Sequence, residues 1–557
     1  MDFAGEERGL AVGGTVLKSN GYVWDAAEDF AEILLEKIAP NVDRLEALAE
    51  SQVIKTNSGR TILRLGRVRS GGENVVIKLH RARDWKESLK YIFVRSRARA
   101  ERDALERLER MGIPCPRPLA MGERRIMGFL KAACLVLEHI PNDGSLLEVL
   151  KGNRLSGERR RSLLAKLASM VCAMHDRGFD HRDLNAGNLL VGKQAARGGE
   201  LWLLDCHRVR LVRRMGLRGR VRGLAGAVAG VGSVTTRADR CRMVKRYLAE
   251  WGDIRSRAAE RRFFEILARR MERLRRVHHR SRTRRCLQDG REFAREKTRE
   301  GVVYRRREYP VSAVLQAIRL HRDALRRRGD EFLKDDVKTA VTDVSPEGGG
   351  RAVCVKEFKR RGLVVGVARR LSGSKGRRAW RAANGLVVMG VGTPLPLACV
   401  EDRRGSIAVQ VSYLITESAK GYEPLSDFLG DSKRDALLRR NGEAREKLID
   451  AMASLLSEMH AAGAYHRDFR PGNLLARWDG RRWDLLVVDL EDVELNHFPS
   501  RRERLASFVR LLGQSGMGNE ADCVRFLEVY KRRHRDVNVA RYWTGIAAAL
   551  GHGEGAP

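Results

Sequence analysis

The sequence has no apolar stretch long enough to cross a bilayer. The uncharged apolar run from Leu224 to Gly232 is much shorter than the roughly 18 residues that a membrane span needs. The nine cysteines are scattered and none are spaced as C-x-x-C, which argues against a disulfide framework or a cysteine zinc site. The first residues lack the basic segment and apolar run of a secretory signal. We therefore expect a cytoplasmic protein with reduced thiols.

Acidic residues are fewer than basic residues. The chain has 71 Asp and Glu against 108 Lys and Arg, which gives a formal net charge of +37 at pH 7. Such an excess predicts an anionic partner, and composition leaves nucleic acid, a phosphorylated ligand and an acidic membrane surface all open. Hydrophobic residues make up 43% of the chain, which is enough to build folded cores. At 557 residues, we expect more than one domain.

The sequence repeats itself at long range. The pattern M-H-x-x-G-x-x-H-R-D-x-x-x-G-N-L-L begins at Met174 and again at Met459. Two shorter segments recur upstream in the same order, NVVIKLH with AVCVKEF and RMGIPCPRPLA with VMGVGTPLPLA. The chain thus contains two copies of a unit of about 240 to 270 residues. We predict domains at 50–286 and 287–557, after an extension at 1–49.

Each copy begins with strands and continues with helices. Val53 to Arg69 and Glu73 to His80 alternate apolar and polar residues across turn signals, which predicts hairpin strands. Apolar residues at helical spacing predict helices from Arg97 to Met111 and from Leu163 to His175. For the extension at 1–49 the sequence predicts one or two helices, between Asp25 and Leu48.

The first copy contains, in order, the groups that phosphoryl transfer from ATP requires. These are a cation for the phosphates, oxygen ligands for Mg²⁺ and an acceptor for the proton of the attacking hydroxyl. Lys78 ends the strand VVIK, and Glu101 lies on the next helix, where it could pair with that lysine. In HRDLNAGN, Asp183 is the predicted proton acceptor and Asn188 a predicted metal ligand. Asp205 follows the strand LWLL and is the predicted Mg²⁺ carboxylate.

The second copy repeats this set with one change. Its corresponding residues are Lys356, Asp468, Asn473 and Asp489. Aligning Met111 with Met389 places Ala379 where Glu101 stands, so this copy lacks the expected partner for its lysine. We therefore expect the first copy to be the stronger catalyst.

Other chemistry-bearing patterns are weak. His175 and His460 recur beside methionine and are interpreted as structural, and no P-loop motif occurs. The segment Arg269 to Arg285 has nine arginines and one glutamate. It could be a solvated helix face or a patch that contacts phosphate or a membrane, and the sequence leaves both open.

Together these motifs resemble the protein-kinase-like superfamily. The VIK strand, the E-x-x-x-L helix into GIPxPxPLA, the hinge-like LVLEHI and the HRDxxxGNLL loop resemble, more narrowly, the Kdo/WaaP lipopolysaccharide kinases. The resemblance implies an α+β protein of two tandem bilobal domains, each with an antiparallel N-lobe sheet plus helix and a mostly helical C-lobe. It also implies ATP and Mg²⁺ as cofactors. The implied acceptor is a Kdo or heptose hydroxyl of the lipopolysaccharide core.

Other partners follow from the same resemblance. It implies a peripheral position on the anionic inner face of the inner membrane, and we expect no specific nucleic acid. The oligomeric state is left open.

Several features depart from the family pattern. No G-x-G-x-x-G occurs, and only Ser58-Gly59 and the segment LKDDVKTAV occupy the phosphate-covering places. DFG is replaced by Asp205-Cys206-His207 and by Asp489-Leu490-Glu491, and no A-P-E follows. An activation segment is therefore not expected, which favours a small-molecule or glycolipid acceptor. Two alternatives stay open: another small-molecule or protein Ser/Thr kinase, and a binding scaffold with one or both sites inactive.

Overall fold

The chain folds into two compact units, Met1–Leu274 and Arg275–Pro557. The structure is a computed structural model. It describes residues 14–57, 59–68, 72–152, 155–193, 201–254, 256–299, 301–346, 350–359, 373–402, 411–429, 438 and 441–551. The predicted domain ranges, 50–286 and 287–557, remain a prediction.

The first unit is built on a seven-stranded antiparallel sheet. The strand order is β1-β2-β6-β7-β5-β4-β3. The bounds are β1 Gly14–Ser19, β2 Tyr22–Ala27, β3 Ser51–Asn57, β4 Arg60–Leu65, β5 Val75–Arg81, β6 Pro118–Ile126 and β7 Phe129–Glu138. The predicted hairpin strands thus correspond to β3, β4 and β5.

Helices and two small sheets complete the first unit. The helices are α1 Ala31–Ile33, α2 Trp85–Phe93, α3 Arg97–Arg110, α4 Leu146–Lys151, α5 Gly157–Asp176, α6 Leu217–Gly230 and α7 Arg237–Trp251, and α8 Arg257–Arg284 contains the boundary between the units. The small sheets contain β8 Asn142–Ser145, β9 Phe179–His181, β10 Leu189–Gly192, β11 Leu201–Leu203 and β12 Val209–Leu211. Both predicted helices, in α3 and α5, are confirmed.

Residues 14–27 were not expected to be strands. The sequence predicted one or two helices between Asp25 and Leu48 and no strand in 1–49, but β1 and β2 form a hairpin that joins the sheet beside β6. Asn20 and Gly21 both have positive φ, at 50° and 74°, as a tight two-residue hairpin turn requires. Tyr22 and Trp24 alternate with exposed or half-buried neighbours and are buried in the core. Only short helical turns follow, between 28 and 47.

The second unit repeats the seven-stranded sheet. Its order is β13-β14-β18-β19-β17-β16-β15, which is the order of the first sheet with each strand replaced by its counterpart. The bounds are β13 Phe293–Thr298, β14 Gly301–Arg306, β15 Phe332–Asp335, β16 Thr339–Val344, β17 Val353–Phe358, β18 Pro396–Asp402 and β19 Val411–Glu417. The structural repeat therefore includes the hairpin that precedes the predicted repeat.

The rest of the second unit is mainly helical. The helices are α9 Val311–Arg327, α10 Lys375–Met389, α11 Leu425–Leu429, α12 Gly442–Ala462, α13 Arg501–Gly513, α14 Glu520–Lys531 and α15 Val539–Leu550. The small sheets contain β20 Glu423–Pro424, β21 Ala464–His466, β22 Leu474–Trp478, β23 Trp483–Val487 and β24 Val493–Leu495. The expected α+β architecture, a sheet-rich part followed by a helical part, is present in both units.

Strand alternation separates the cores of the first unit from its candidate site. Ile77 and Leu79 on β5 face a core that includes Trp24 and Phe30 on the outer side of the sheet. Because successive side chains on a strand point to opposite faces, Lys78 points to the other side, where α3 lies. The fold thus places one buried lysine between the sheet and a helix.

Candidate active site

In the first unit, Lys78 and Glu101 form a buried ion pair. The Lys78 Nζ donates to Glu101 Oε1 at 2.5 Å, and the side chains are 7% and 1% exposed. Ser96 begins α3 because its hydroxyl accepts the Arg99 backbone N–H, and Glu101 then lies one turn further along the buried helix face. The structure contains the contact that the sequence spacing predicted.

The HRD loop presents Asp183 through two hydrogen bonds to its backbone. The Asp183 backbone N–H donates to Nδ1 of His181 at 3.3 Å. The Asn188 Nδ2 donates to the backbone carbonyl of Asp183 at 2.9 Å. The amide nitrogen of Asn188 is used in this way, so its amide oxygen is the atom that could bind a cation. His181 thus holds the backbone of the loop.

Asp205 lies beside this loop in a strained backbone conformation. Its φ and ψ are 57° and 55°, a left-handed conformation that non-glycine residues adopt rarely and often at functional sites. The Leu204 backbone N–H donates to the Asn188 carbonyl at 2.8 Å, which joins the two predicted metal-binding segments. Asn188 belongs to the HRD motif, whereas Asp205 follows the next buried strand. The fold thus brings two residues from different segments to neighbouring positions.

The Asp205 carboxylate lies near a histidine and two cationic side chains. His207 Nδ1 lies 2.6 Å from its Oδ1, and an Arg60 guanidinium nitrogen lies 3.6 Å from the same oxygen. Burial alone would raise the pKa of the Asp205 carboxyl. The hydrogen bond from His207 and the charges of Lys78 and Arg60 outweigh burial and hold that pKa below its usual value. The carboxylate is therefore ionised and able to bind a cation at neutral pH.

The donor set in the first unit fits Mg²⁺. Asn188 and Asp205 offer an amide oxygen and an ionised carboxylate, the hard oxygen ligands that this ion prefers. A different cluster also comes together, in which ligand atoms of Glu101, Asp205 and His207 lie within 4.8 Å of one another. Glu101 is already paired with Lys78, and imidazole is a poor ligand for Mg²⁺. We therefore favour Asn188 and Asp205 as the metal-binding pair.

Arg60 is a site residue that the sequence analysis missed. It begins β4 directly after the tight β3–β4 turn, in which Gly59 has a φ of 91°. This turn stands where a glycine-rich loop would cover phosphates, and Ser58 of the predicted Ser58-Gly59 pair lies outside the described residues. The sequence signal that could have identified Arg60 is an arginine directly after the turn of a short hairpin. Instead of a long loop of backbone amides, this unit presents a guanidinium beside Asp205.

The HRD loop of the second unit has the same backbone arrangement. The Asp468 backbone N–H donates to His466 Nδ1 at 3.1 Å, and Asn473 Nδ2 donates to the Asp468 carbonyl at 2.7 Å. Asp489 has φ and ψ of 62° and 51°, almost those of Asp205. One difference is that the Asp468 carboxylate is paired with Arg470 at 3.0 Å.

Lys356 is held differently from Lys78. Its Nζ donates to Glu491 Oε2 at 3.0 Å and also forms an ion pair with Asp489 Oδ1. Ser374 caps α10 as Ser96 caps α3, and Ala379 occupies the Glu101 position and is fully buried. The predicted absence of a helix carboxylate at this position is confirmed.

The missing glutamate of the second unit is replaced from another segment. Glu491 stands two residues after Asp489, as His207 stands two residues after Asp205. The pair Glu101 and His207 in the first unit therefore corresponds to Ala379 and Glu491 in the second. In the sequence, Asp489-Leu490-Glu491 is recognisable only as a departure from DFG, because nothing local marks Glu491 as a lysine partner. The neighbouring Glu357 faces the other way, where its Oε2 lies 3.1 Å from His321 Nε2.

Removing the Glu491 charge should make the Lys356 amine more reactive. Burial alone would lower the pKa of Lys356, but the charges of Glu491 and Asp489 outweigh burial and raise it. In Glu491→Gln that pKa falls, so at pH 8 more of the amine is neutral. We expect Lys356 to be labelled by an amine-specific reagent roughly three to ten times faster, measured by peptide mass spectrometry. Asp492→Asn, which changes the exposed neighbouring carboxylate, is the matched control. Equal rates in the two variants would contradict the assignment.

The two repeated histidines are structural. His175 Nδ1 lies 2.8 Å from the Tyr247 hydroxyl, and His460 Nδ1 lies 2.8 Å from the Tyr530 hydroxyl. Burial lowers the pKa of His175 to about 4 and that of His460 to about 3, so both stay neutral near pH 7. The prediction of a structural role is confirmed.

A family comparison covers both units. The family described as lipopolysaccharide kinase (Kdo/WaaP) matches residues 43–247 and 357–530, more than half of the chain. The chain belongs to this family. The two matched ranges contain both HRD loops and both left-handed aspartates, so the Kdo/WaaP assignment and the tandem organisation agree with the geometry of the two units.

Individual relatives match shorter segments. The chain is 33% identical over 111 residues to a 3-deoxy-D-manno-octulosonic acid kinase of Haemophilus influenzae (strain PittEE), covering 20% of this chain and 44% of that protein. It is 41% identical over 80 residues to the serine/threonine-protein kinase pkn2 of Myxococcus xanthus, covering 14% and 9%. The chain thus spans less than half the length of these curated relatives.

A solved structure of a family member also matches. The structure titled "WaaP in complex with acyl carrier protein" has 23% sequence identity and a TM-score of 0.33, and covers 45% of this chain and 98% of that one.

The Arg-rich segment of this Kdo/WaaP chain is helical. It lies mostly in α8, and three of its arginines have contacts within the described part of the second unit, one of them Arg282, which lies 3.9 Å from Glu292. Arg275 donates to the Ala461 carbonyl at 2.7 Å, and Arg276 stacks on the Phe498 ring with its guanidinium carbon 3.7 Å from the centroid. Among the described residues, no helix combines the length and apolar character that crossing a membrane would need. For the remaining arginines, the two readings of the segment stay open.

All nine cysteines lie in the described part of the chain and are free thiols. Seven of them are buried, which shields those thiols from solvent.

Proposed function

We propose that this protein is an ATP-dependent kinase that phosphorylates a sugar hydroxyl of the lipopolysaccharide inner core, on Kdo or heptose. The observation that carries the proposal is the arrangement in the first unit. A lysine fixed by a buried glutamate, a loop aspartate and a neighbouring amide–carboxylate pair are what phosphoryl transfer requires. Membership of the Kdo/WaaP family supports the choice of a sugar acceptor.

The cofactors we propose are ATP and Mg²⁺. Asn188 and Asp205 would hold the metal ion, which when bound offsets phosphate charge and orients the transferred group. Lys78 and Arg60 add positive charge on the protein side of the nucleotide, and Glu101 keeps the lysine from swinging away. These fixed charges stabilise the transition state without having to reorganise.

Asp183 is the proposed proton acceptor. Its backbone is fixed from two sides, by His181 and by Asn188, so its carboxylate is presented in one direction. A carboxylate within hydrogen-bond distance of the sugar hydroxyl orients that hydroxyl and takes its proton as the new bond to phosphorus forms.

We propose that the second unit is the weaker catalyst. Lys356 is paired with Asp489, the carboxylate proposed for the metal, and Asp468 is paired with Arg470. The lysine that would contact the phosphates is thus tied to the proposed metal carboxylate, and the proposed proton acceptor is tied to an arginine. In the first unit, Lys78 is instead paired with Glu101 on α3.

The acceptor class can be tested directly. We expect purified protein with ATP to phosphorylate lipid-free inner-core oligosaccharide, and a generic protein substrate such as myelin basic protein to receive little phosphate. A second candidate, a protein Ser/Thr kinase, is favoured only by the stretch shared with the Myxococcus xanthus kinase. Preferred phosphorylation of the protein substrate would select that candidate. ATP binding without transfer to either would select a binding scaffold.

The positive charge should give salt-sensitive binding to acidic membranes. We propose that the protein acts at the anionic inner face of the inner membrane, supported by its net charge of +37. Binding to acidic vesicles should weaken steeply between about 50 and 500 mM salt, because the Debye length falls below about 5 Å. Cosedimentation with vesicles measures this. Salt-insensitive binding, or tight RNA binding without lipid binding, would contradict the proposal.

A further inference from the structure

Helix α2 of the first unit exposes the side of the helix that is normally buried. Its apolar side chains at positions 85, 89, 92 and 93 lie within an arc of about 100° on the helix surface. That spacing is typical of a core-facing stripe. In this helix, however, Ser88 and Tyr91 are the buried residues, whereas Trp85 is 69% and Phe93 85% exposed.

A second exposed apolar group lies beside this helix, at the turn between β6 and β7. Met127 and Gly128 form a tight turn with positive φ at both residues, and Met127 is 92% exposed. Ile126 and Phe129 on either side of the turn are also exposed. The end of this hairpin therefore exposes three apolar side chains, of which Met127 is the most exposed.

Arg125 joins the two groups into one surface. Its Nη1 donates to the carbonyl of Tyr91 on α2 and to the carbonyl of Gly128 in the turn, both at 3.1 Å. Its Nε donates to Glu123 at 2.9 Å, which fixes the guanidinium. We call the resulting surface the α2 patch. It consists of Trp85, Leu89, Ile92, Phe93, Ile126, Met127 and Phe129.

Basic residues accompany the α2 patch. The segment 81–99, which contains α2, has seven Lys and Arg and two Asp and Glu. Lys90 on α2 is exposed, and so is Lys131, whose carbonyl accepts the Ala82 backbone N–H at 3.0 Å. Aromatic and aliphatic side chains with flanking cations are the combination that enters the interface of an acidic bilayer. A groove for a peptide would instead be concave, whereas this surface is a helix face and a hairpin tip.

We propose that the α2 patch inserts into the interface of an anionic phospholipid membrane. The inference deepens the proposed function, since it names the surface that brings the first site to a membrane-embedded acceptor. Lys78 on β5 precedes Trp85 by seven residues, so the insertion surface and the candidate active site belong to consecutive elements. The apolar side chains enter the region of the lipid head groups and upper acyl chains, while the flanking lysines and arginines contact lipid phosphates.

The test compares full-length protein with Phe93→Ser/Met127→Ser, in which two exposed side chains lose their apolar surface. Binding to phosphatidylglycerol-containing vesicles, measured by cosedimentation, should weaken about tenfold or more. The control Val16→Ser/Val23→Ser changes two exposed valines of the β1–β2 hairpin, outside the α2 patch, and should bind as the wild type does. Neutral phosphatidylcholine vesicles should bind poorly in every case. An equal loss in both double variants, or no loss in either, would overturn the proposal.

A second readout reports insertion itself. Lipids brominated on the upper acyl chain should quench tryptophan fluorescence of the wild type, and Trp85→Phe should remove most of that quenching. Unchanged quenching in Trp85→Phe would overturn the proposal. So would self-association without lipid that Phe93→Ser/Met127→Ser abolishes, because the α2 patch would then be an interface between copies.

Kinase assays separate this proposal from the proposed function. Phe93→Ser/Met127→Ser should keep its activity on lipid-free core oligosaccharide and show a raised KM, with kcat kept, on lipopolysaccharide in vesicles. A wild type that binds acidic vesicles through the α2 patch but phosphorylates neither acceptor would contradict the proposed function alone. Full activity of the variant on vesicle-embedded lipopolysaccharide at wild-type KM would overturn the proposal made here.

Discussion

Asp183→Asn should reduce phosphoryl transfer by a factor on the order of 10² or more, because the sugar hydroxyl loses both its proton acceptor and its orientation. The substitution keeps the shape of the side chain and leaves the backbone hydrogen bonds to His181 and Asn188 in place. We therefore expect an unchanged melting temperature together with the loss of kcat. Steady-state assays with ATP and lipid-free core oligosaccharide measure kcat and KM.

The matched control for this prediction is the same substitution in the second unit. Asp468→Asn makes the same change in the second unit, where the carboxylate is already paired with Arg470, and should remove less activity. Full activity in Asp183→Asn with loss in Asp468→Asn would reverse the ranking of the two units.

Glu101→Ala should destabilise the first unit by about 3–5 kcal/mol, the usual result of leaving a buried charge without its partner. Lys78 and Glu101 are both almost fully buried, and their ion pair lies between β5 and α3. The free energy of unfolding, measured by urea denaturation, gives the change. Activity should also fall, because Lys78 loses the group that holds it beside the phosphates.

Two controls separate charge from packing. Asp103→Ala, on the same helix, removes the ion-pair partner of Arg95. Because Asp103 is more exposed than Glu101, this change should cost less than about 1 kcal/mol. The double variant Lys78→Met/Glu101→Leu replaces the pair by apolar side chains, and we expect it to recover most of the stability but none of the activity. Recovery of activity in the double variant would contradict the role of Lys78.

The sequence was sufficient to predict the groups that depend on local spacing. The HRD loops, the strand lysines and the left-handed aspartates recur at nearly constant separations, so each set could be named without a structure. The alignment that placed Ala379 at the Glu101 position is confirmed by the equivalent N-caps, Ser96 and Ser374. Strand register confirms it too, since Lys78 pairs with Leu135 as Lys356 pairs with Leu414.

What the sequence did not predict depends on contacts between distant segments. Glu491 replaces Glu101 from a different element, and only the fold shows that its carboxylate reaches Lys356. Arg60 reaches Asp205 across a comparable separation in sequence. Both are ordinary charged residues in their own segments, so no local pattern marks them as partners of the site.

Two further features show the limits of periodicity. The β1–β2 hairpin is short, and the helical prediction from Asp25 to Leu48 wrongly included residues 25–27, which lie in β2. Helix α2 shows the opposite problem, because an apolar stripe at helical spacing indicates a buried face and here lies exposed. Periodicity gives the type of element, but the packing of the element on its neighbours decides which face is covered.

The most direct test of the central claim is mass spectrometry of lipopolysaccharide core after incubation with ATP and purified protein. With the wild type, a fraction of the core should gain the mass of one phosphoryl group on Kdo or heptose, while ATP is consumed in equal amount. With Asp183→Asn/Asp468→Asn, neither change should occur beyond the background. A core that gains no phosphate with the wild type, or gains it equally with the double variant, would contradict the account.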